Sequence, residues 1–302
     1  MTDQPTSDVR EDVTPSPSRF AREPRVRLPA GLVYKGTTYR DVVVDRRTGY
    51  DDEAIAGGKA GNNGAKAISM LLQRCILSID GLVEEKRNRF VRIDKRIVEA
   101  LSIPDRDFLF FAIHALGTDP KIKVSVKCPE PDCSQMNPRV LDVRDLEIVY
   151  WPDGEDLVLR DISLLDGFEV MRKQDEWTSY KDELSWHIGN GKLHEDLGGL
   201  PDHKVATSAI AACLRLPDGG TIDTETARRM YSTDRDELLR IVQEESPGVD
   251  LVSDCSCSLC GHEWSARIDP SLFFGGGAQE PTRVSKRRKS ARKKKRRQLR
   301  KR

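Results

Sequence analysis

The chain has 302 residues, 37% of them apolar, and its 50 Lys and Arg against 49 Asp and Glu give a net charge of +1. That length suits about two domains. No apolar run reaches the roughly 18–20 residues of a membrane span, and seven cysteines is an odd number for a disulfide framework. The neutrality is an average, because Arg283–Arg302 holds fourteen Lys or Arg and no acid, which leaves −13 on residues 1–282.

Residues 1–25 are polar, with Pro5, Pro15, Pro17 and Pro24 and no apolar core of a secretory signal, and are expected to be disordered. A hairpin is expected from Leu32 to Val44, turning at Lys35-Gly36. Asp51, Asp52 and Glu53 suit the first turn of a helix. The Gly/Asn-rich joint Gly57–Gly64 precedes a helix expected over 65–78, with Ile68, Leu71, Leu72, Cys75 and Ile79 at helical spacing. Gly58-Lys59 lacks the upstream Gly and following Ser/Thr of a phosphate loop, so the joint reads as a flexible connection. Ser102-Ile-Pro-Asp105 opens a helix over 106–116 that Gly117 ends. A strand over 121–127 delivers the chain to the polar knuckle Cys128-Pro-Glu-Pro-Asp-Cys133, and a strand over 139–143 returns.

The pattern then recurs. Cys75-Ile-Leu-Ser-Ile-Asp-Gly81 resembles Cys213-Leu-Arg-Leu-Pro-Asp-Gly219 at an offset of 138, and Asp105-Arg-Asp-Phe-Leu109 resembles Asp234-Arg-Asp-Glu-Leu238 at an offset of 129. The second offset also places Cys128 on Cys257, and Leu141-Asp142 falls near Ile268-Asp269. Landmarks in the same order imply an internal duplication. The second copy is expected from Leu157 to Phe274, with helices near 167–186, 204–214 and 233–245. The expected organisation is a disordered segment 1–25, a first repeat 26–152, a second repeat 153–275 and a basic disordered tail 276–302, with an α+β fold.

Each copy supplies one cysteine pair: Cys128 with Cys133, and Cys257 with Cys260. Cys257-Ser-Leu-Cys260-Gly is the turn of a zinc ribbon, in which a short knuckle presents two sulfurs to one ion. Structural zinc takes four ligands, so the two knuckles together make one complete site for structural Zn2+. Cys255 and His262 are reserve ligands, and Cys75 and Cys213 lie on apolar helix faces that suit a core. Four protein ligands leave no position for a reactive water.

Nothing else points to catalysis. The five histidines are scattered, His114 and His187 suit structural positions, and the acidic clusters at Asp51 to Glu53 and Asp234 to Glu237 fall at expected helix starts. The tail has no aromatic residue to stack on bases, and its charge suits either docking on the acidic body or a salt-sensitive contact with nucleic acid or another polyanion.

Thr48-Gly-Tyr-Asp-Asp-Glu53, the helix ending Ser78-Ile-Asp-Gly81, the Asp105-Arg-Asp-Phe-Leu109 helix, and Cys257-Ser-Leu-Cys260-Gly-His-Glu-Trp264 followed by Ser271-Leu-Phe-Phe274 together carry a family resemblance. Over residues 30–275 the chain resembles the zinc-ribbon-bearing baseplate hub or tail-assembly proteins of T-even-type contractile-tailed bacteriophages and related injection systems. Cys128 to Cys133 is wider than the usual Cys-x-x-Cys, and the basic tail lies outside the resemblance. What the resemblance implies is a non-enzymatic assembly role among other baseplate and hub proteins, in the host cytoplasm or in the tail baseplate of the particle. It implies no catalytic residues; no membrane partner and no small-molecule substrate are expected. The alternative from a different class is a zinc-ribbon nucleic-acid-binding protein that draws its affinity from the tail.

Overall fold

A computed structural model describes residues 24–56, 63–84, 92–117, 119–173, 176–267 and 283–284. The segment expected to be disordered lies outside the described residues up to 23, but Arg25 already opens a strand. The joint at 57–62, the landmark Ile268-Asp269, the Ser271–Phe274 stretch and, apart from the short strand Arg283–Val284, the basic tail 276–302 also lie outside them. Within them the chain is mixed α and β, with eight α-helices and several small sheets.

The first half opens on β1 (Arg25–Tyr34) and β2 (Thr37–Val44), joined at Lys35-Gly36, both with positive φ. That pair of left-handed residues matches the twist of a two-residue hairpin. Helix α1 (Gly49–Ala56) leads to α2 (Gly64–Cys75), whose first turn is capped by the Asn63 side chain. The expected helix over 65–78 is shorter than its periodicity suggested. It stops at Cys75, and Ile76–Ile79 forms β3, where β-branched side chains pair along β2 and bury on both faces. Helix α3 (Lys95–Ala100) precedes α4 (Ile103–Ala115), capped by Ser102 with Pro104 in its first turn. Strands β4 (Lys121–Lys127) and β5 (Met136–Asp142) form the hairpin that carries the first knuckle, and β6 (Ile148–Val149) follows.

The second half runs through β7 (Val158–Ile162), β8 (Phe168–Lys173), β9 (Glu176–Tyr180), β10 (Leu184–His187), α5 (Gly191–Leu197), α6 (Asp202–Cys213), β11 (Leu214–Arg215), α7 (Thr224–Arg229) and α8 (Ser232–Glu245). It ends on β12 (Gly248–Val249), which pairs with β6, and on β13 (Val252–Ser256) and β14 (Glu263–Arg267), which form the second knuckle hairpin. A short β15 (Arg283–Val284) pairs with β14. Helices α6 and α8 lie where the sequence places them. The helix expected near 167–186 is replaced by β8, β9 and β10, because burial alternates there. Phe168 is buried, whereas Met171 and Trp177 face each other across the hairpin and stay exposed.

Several elements of the two halves recur at fixed spacing, although the β8–β9 hairpin has no counterpart in the first half. Helices α3 and α7 begin 129 residues apart, as do α4 and α8, and both α3 and α7 are capped by an aspartate, Asp94 and Asp223. Helices α2 and α6 begin 138 residues apart, and each ends in a buried cysteine that passes directly into a strand. The sheet order β1-β2-β3 is matched by β7-β10-β11, antiparallel throughout.

The acidic starts of α4 and α8 do more than favour the helix dipole. Asp105 and Asp234 are fully buried. Asp105 accepts the Ala30 N–H at 2.8 Å, and Asp234 accepts those of Leu165 at 2.7 Å and Gly167 at 2.8 Å. Each pins a loop through a glycine at positive φ, Gly31 or Gly167, where a side chain would be strained and a Cβ would meet Thr38 Cγ2 at 2.9 Å or the Tyr180 carbonyl oxygen at 2.5 Å. Burial pushes the Asp105 carboxyl up to about 6, against the opposing pull of hydrogen bonds from Ala30, Ser102 and Gly31.

Two apolar cores result. The first gathers side chains of β1, β2, α2, β3, α4 and β4 around Leu109 and Phe111. The second gathers Leu159, Leu184, Ile210 and Leu238 with their neighbours. Leu251, Cys255, Cys257, Trp264 and Ala266 of the last hairpin pack into the first core, so the chain crosses back over its own first half. No helix among the described residues is long and apolar enough to cross a membrane.

Candidate metal centre

The return of β13–β14 onto the first core brings the two knuckles together. Cys128 Sγ lies 3.7 Å from Cys260 Sγ and Cys133 Sγ lies 3.5 Å from Cys257 Sγ, and all four sulfurs fall within 4.8 Å of one another. A disulfide would need about 2.05 Å, so these are four separate thiols. Four sulfurs at ~2.3 Å from a central ion form a tetrahedron with edges of ~3.8 Å, and the two cross-knuckle distances fit that edge. The four sequence-predicted ligands therefore converge on one site that could hold a metal ion.

Local backbone makes each half-site. In the first knuckle the Cys128 N–H donates to the Gln135 carbonyl at 2.8 Å and that of Cys133 to the Glu130 carbonyl at 3.0 Å. In the second, the Cys257 N–H donates to His262 at 2.8 Å and the Gly261 N–H to Cys257 at 3.1 Å, with Gly261 at φ +71°. These turns aim amide N–H groups at sulfur: Glu130 at Cys128, Gln135 at Cys133, and Cys260 and Leu259 at Cys257. The amides of Cys260 and Leu259 bring the Cys257 thiol down to about 6. Burial pushes Cys128 up to about 12, with further upward shifts from the neighbouring thiols. Four thiolates cannot share this space without a compensating cation, so protons must leave when a metal enters.

Asn137 is the residue that sequence reasoning missed. It is 3% exposed on β5, opposite Val126, and its side chain joins the two hairpins. Its Oδ1 accepts the Ser258 N–H at 3.0 Å and the Ser258 hydroxyl at 3.2 Å, while its Nδ2 donates to the Gln135 carbonyl at 3.0 Å and approaches Cys257 Sγ at 3.8 Å. Arg139 adds a second tie, donating to the Ser256 carbonyl at 2.9 Å. Asn137-Pro138 resembles a turn in one dimension, and only the inward register of β5 distinguishes it.

The reserve ligands stand outside the cluster. His262 Nδ1 lies 3.0 Å from Glu130 Oε1 and its ring stacks on Trp264, so it links the knuckles through a polar contact. Cys255 is buried with its thiol turned to the Ser253 carbonyl, and burial pushes its pKa up. Cys75 belongs to the first core and Cys213 to the second. His114 is half-buried on α4, stacked on Phe110, with its pKa lowered by burial.

Comparison with known proteins returned no matching family model, no matching curated protein and no matching solved structure.

Proposed function

We propose that the four cysteines hold one structural Zn2+ and that the body is an internal duplication whose two knuckle hairpins share that ion. We further propose that the protein is a non-enzymatic structural or assembly component of a phage-type contractile-tail baseplate. The observation that carries the metal reading is the convergence of Cys128, Cys133, Cys257 and Cys260 from segments more than a hundred residues apart. Four thiolates saturate a tetrahedral ion, which suits a staple and leaves no position for a substrate. The matched spacing of helices, the matching sheet orders and the buried Asp105 and Asp234 at equivalent helix starts support the duplication. The assembly role draws its support from the sequence resemblance. In this reading the basic tail supplies a salt-sensitive contact with an anionic surface.

Elemental analysis of the full chain tests the centre. The expected result is one zinc per chain, lost in Cys128→Ser and in Cys257→Ser, and either two zincs or none in the wild-type chain refutes a shared site. The assembly role is tested by deleting the gene from a phage genome that carries it. Tails lacking finished baseplates are expected, and normal infectious particles would overturn the role.

A further inference from the structure

Besides the β6–β12 pairing and the meeting of the knuckles, the two halves are joined by a helix contact that runs in one direction only. Helix α5 of the second half packs across α2, α3 and α4 of the first, whereas α1, its counterpart in the first half, packs chiefly against its own neighbour α2. The contact is therefore heterologous: a donor helix of one unit sits on an acceptor face of the other, and the two surfaces differ.

On the donor side, Glu195 is buried, bonded to the Ser69 hydroxyl and 3.4 Å from Lys95 Nζ, and its carbonyl accepts from Asn63 Nδ2 at 2.8 Å. Ser69 in turn takes an N–H from the fully buried Arg106 at 2.7 Å. The backbone before α5 completes the joint: the Ile103 N–H donates to Gly189 at 2.9 Å and the Gly191 N–H to Leu101 at 2.8 Å. Gly191 sits so close that a Cβ there would collide with the Val98 carbonyl and the Arg106 guanidinium.

Gly191, Glu195, Ser69 and Arg106 have counterparts in the other half, whereas Asn63 and Lys95 fall on Pro201 and Thr224. Gly49 opens α1 as Gly191 opens α5, which sets Glu53 in the place of Glu195. On the acceptor side Thr207 stands for Ser69 and Arg235 for Arg106, and the Arg235 side chain donates to Thr207 at 2.8 Å, repeating the arrangement beneath Glu195. On the donor side these counterparts are uncovered, whereas on the acceptor side Thr207 is buried and Arg235 half-buried. Asp52 and Glu53 are exposed, and among the described residues a Cβ on Gly49 would meet nothing within 4 Å. Tyr50 is 67% exposed beside this donor, and Tyr231, which opens α8, is 64% exposed at the acceptor. The donor carries Asp52, 3.6 Å from Arg47, and the exposed Glu53; the acceptor carries Arg228, paired with Glu225 at 2.8 Å, Arg229 over the Trp177 ring, and the half-buried Arg235.

We infer that α1 of one copy docks on the α6–α7–α8 face of a second copy of this chain, repeating between molecules the contact that joins the two halves within one. The inference rests on the duplication proposed above. Glu53 enters the Thr207–Arg235 site as Glu195 enters the Ser69–Arg106 site, and the backbone at Thr48-Gly49 meets Met230 to Ser232. Because the contact is heterologous, it propagates head to tail and closes as a ring or continues as a filament.

Sedimentation velocity on the zinc-loaded full chain across a concentration series, at physiological ionic strength, reads this directly. The wild-type chain is expected to rise above its 34.0 kDa one-chain mass. Glu53→Arg, which breaks the donor, and Arg228→Glu, which breaks the acceptor, should each weaken association by about tenfold or more. Mixed in equal amounts, the two variants still hold one intact donor and one intact acceptor between them, and should stop at a pair. Both positions are exposed, so neither substitution disturbs a core. A wild-type chain that keeps its one-chain mass throughout overturns the inference. So does association that neither variant weakens, which would place the contact elsewhere, for example on the basic tail. Zinc content measured on the same samples keeps this outcome separate from the metal reading, which stands or falls on stoichiometry alone.

Discussion

Arg106 and Arg235 occupy matching places on α4 and α8, yet their surroundings differ, and truncating each to alanine should give very different costs. Arg106 is fully buried and donates to the Val98 carbonyl at 3.2 Å, the Ala65 carbonyl at 2.8 Å and the Ser69 hydroxyl at 2.7 Å, with the Glu195 carboxylate on the far side of Ser69. Arg106→Ala leaves the buried Glu195 carboxylate with the Ser69 hydroxyl and Lys95 as its partners, and leaves the Val98 carbonyl without its side-chain donor. Removing one partner of a buried charged network costs about 3–5 kcal/mol, and the lost packing of the side-chain stem adds to it. About 4–5 kcal/mol is expected. Arg235 is half-buried and makes one side-chain bond, to Thr207, so Arg235→Ala should cost about 1 kcal/mol. Denaturant unfolding of metal-loaded protein, followed by intrinsic fluorescence and far-ultraviolet circular dichroism, measures both. Adding Glu195→Gln to Arg106→Ala should recover about 1–3 kcal/mol, because the buried carboxylate that has lost its Arg106 neighbour is then neutral. A cost below about 2 kcal/mol for Arg106→Ala, or equal costs for the two arginines, would refute the assignment of Arg106 to the joint between the halves.

Two other perturbations are informative. Asn137→Asp keeps the acceptor for Ser258 but exchanges the Nδ2 donor near Cys257 for a carboxylate oxygen, so chelator competition should show metal affinity falling by roughly 10–100-fold; an unchanged affinity would show that Asn137 serves the fold alone. The folded-state pKa of Asp105 lies above its unfolded value of 3.8, at about 6. Its contribution therefore favours the fold below pH 3.8 and is lost as the pH rises through 6, which amounts to about 3 kcal/mol at 1.36 kcal/mol per unit. Asp105→Asn should flatten that part of the stability–pH curve, and an identical slope in both proteins between pH 4 and 6 would contradict it.

Much of the site was legible from the chain. Cys257-Ser-Leu-Cys260-Gly is a local device: a two-residue spacer with a left-handed glycine presents its sulfurs whatever the rest of the protein does. Helices α4, α6 and α8 were equally legible, because Ser102-Ile-Pro-Asp105 is a cap and the apolar spacing on these segments is helical. The stretch from Phe168 to His187 was not. Its apolar residues are too sparse for periodicity to separate a helix from the hairpin that the positive φ of Gly167 and the cross-strand pairing set up.

The amino-acid sequence alone determined the two cysteine pairs, the recurrence of short motifs at offsets of 138 and 129, and the division into an acidic body and a cationic tail, because each is a matter of residue type and spacing. The tertiary structure decided the rest. Glu53 and Glu195 are the same residue at matching positions, but packing buries only Glu195, against Ser69 and Lys95. Asn137 becomes a tie between knuckles only when β13–β14 crosses back onto the first core. Burial and partner choice depend on which distant surfaces meet, and contacts between residues more than a hundred positions apart are set by packing, not by local pattern.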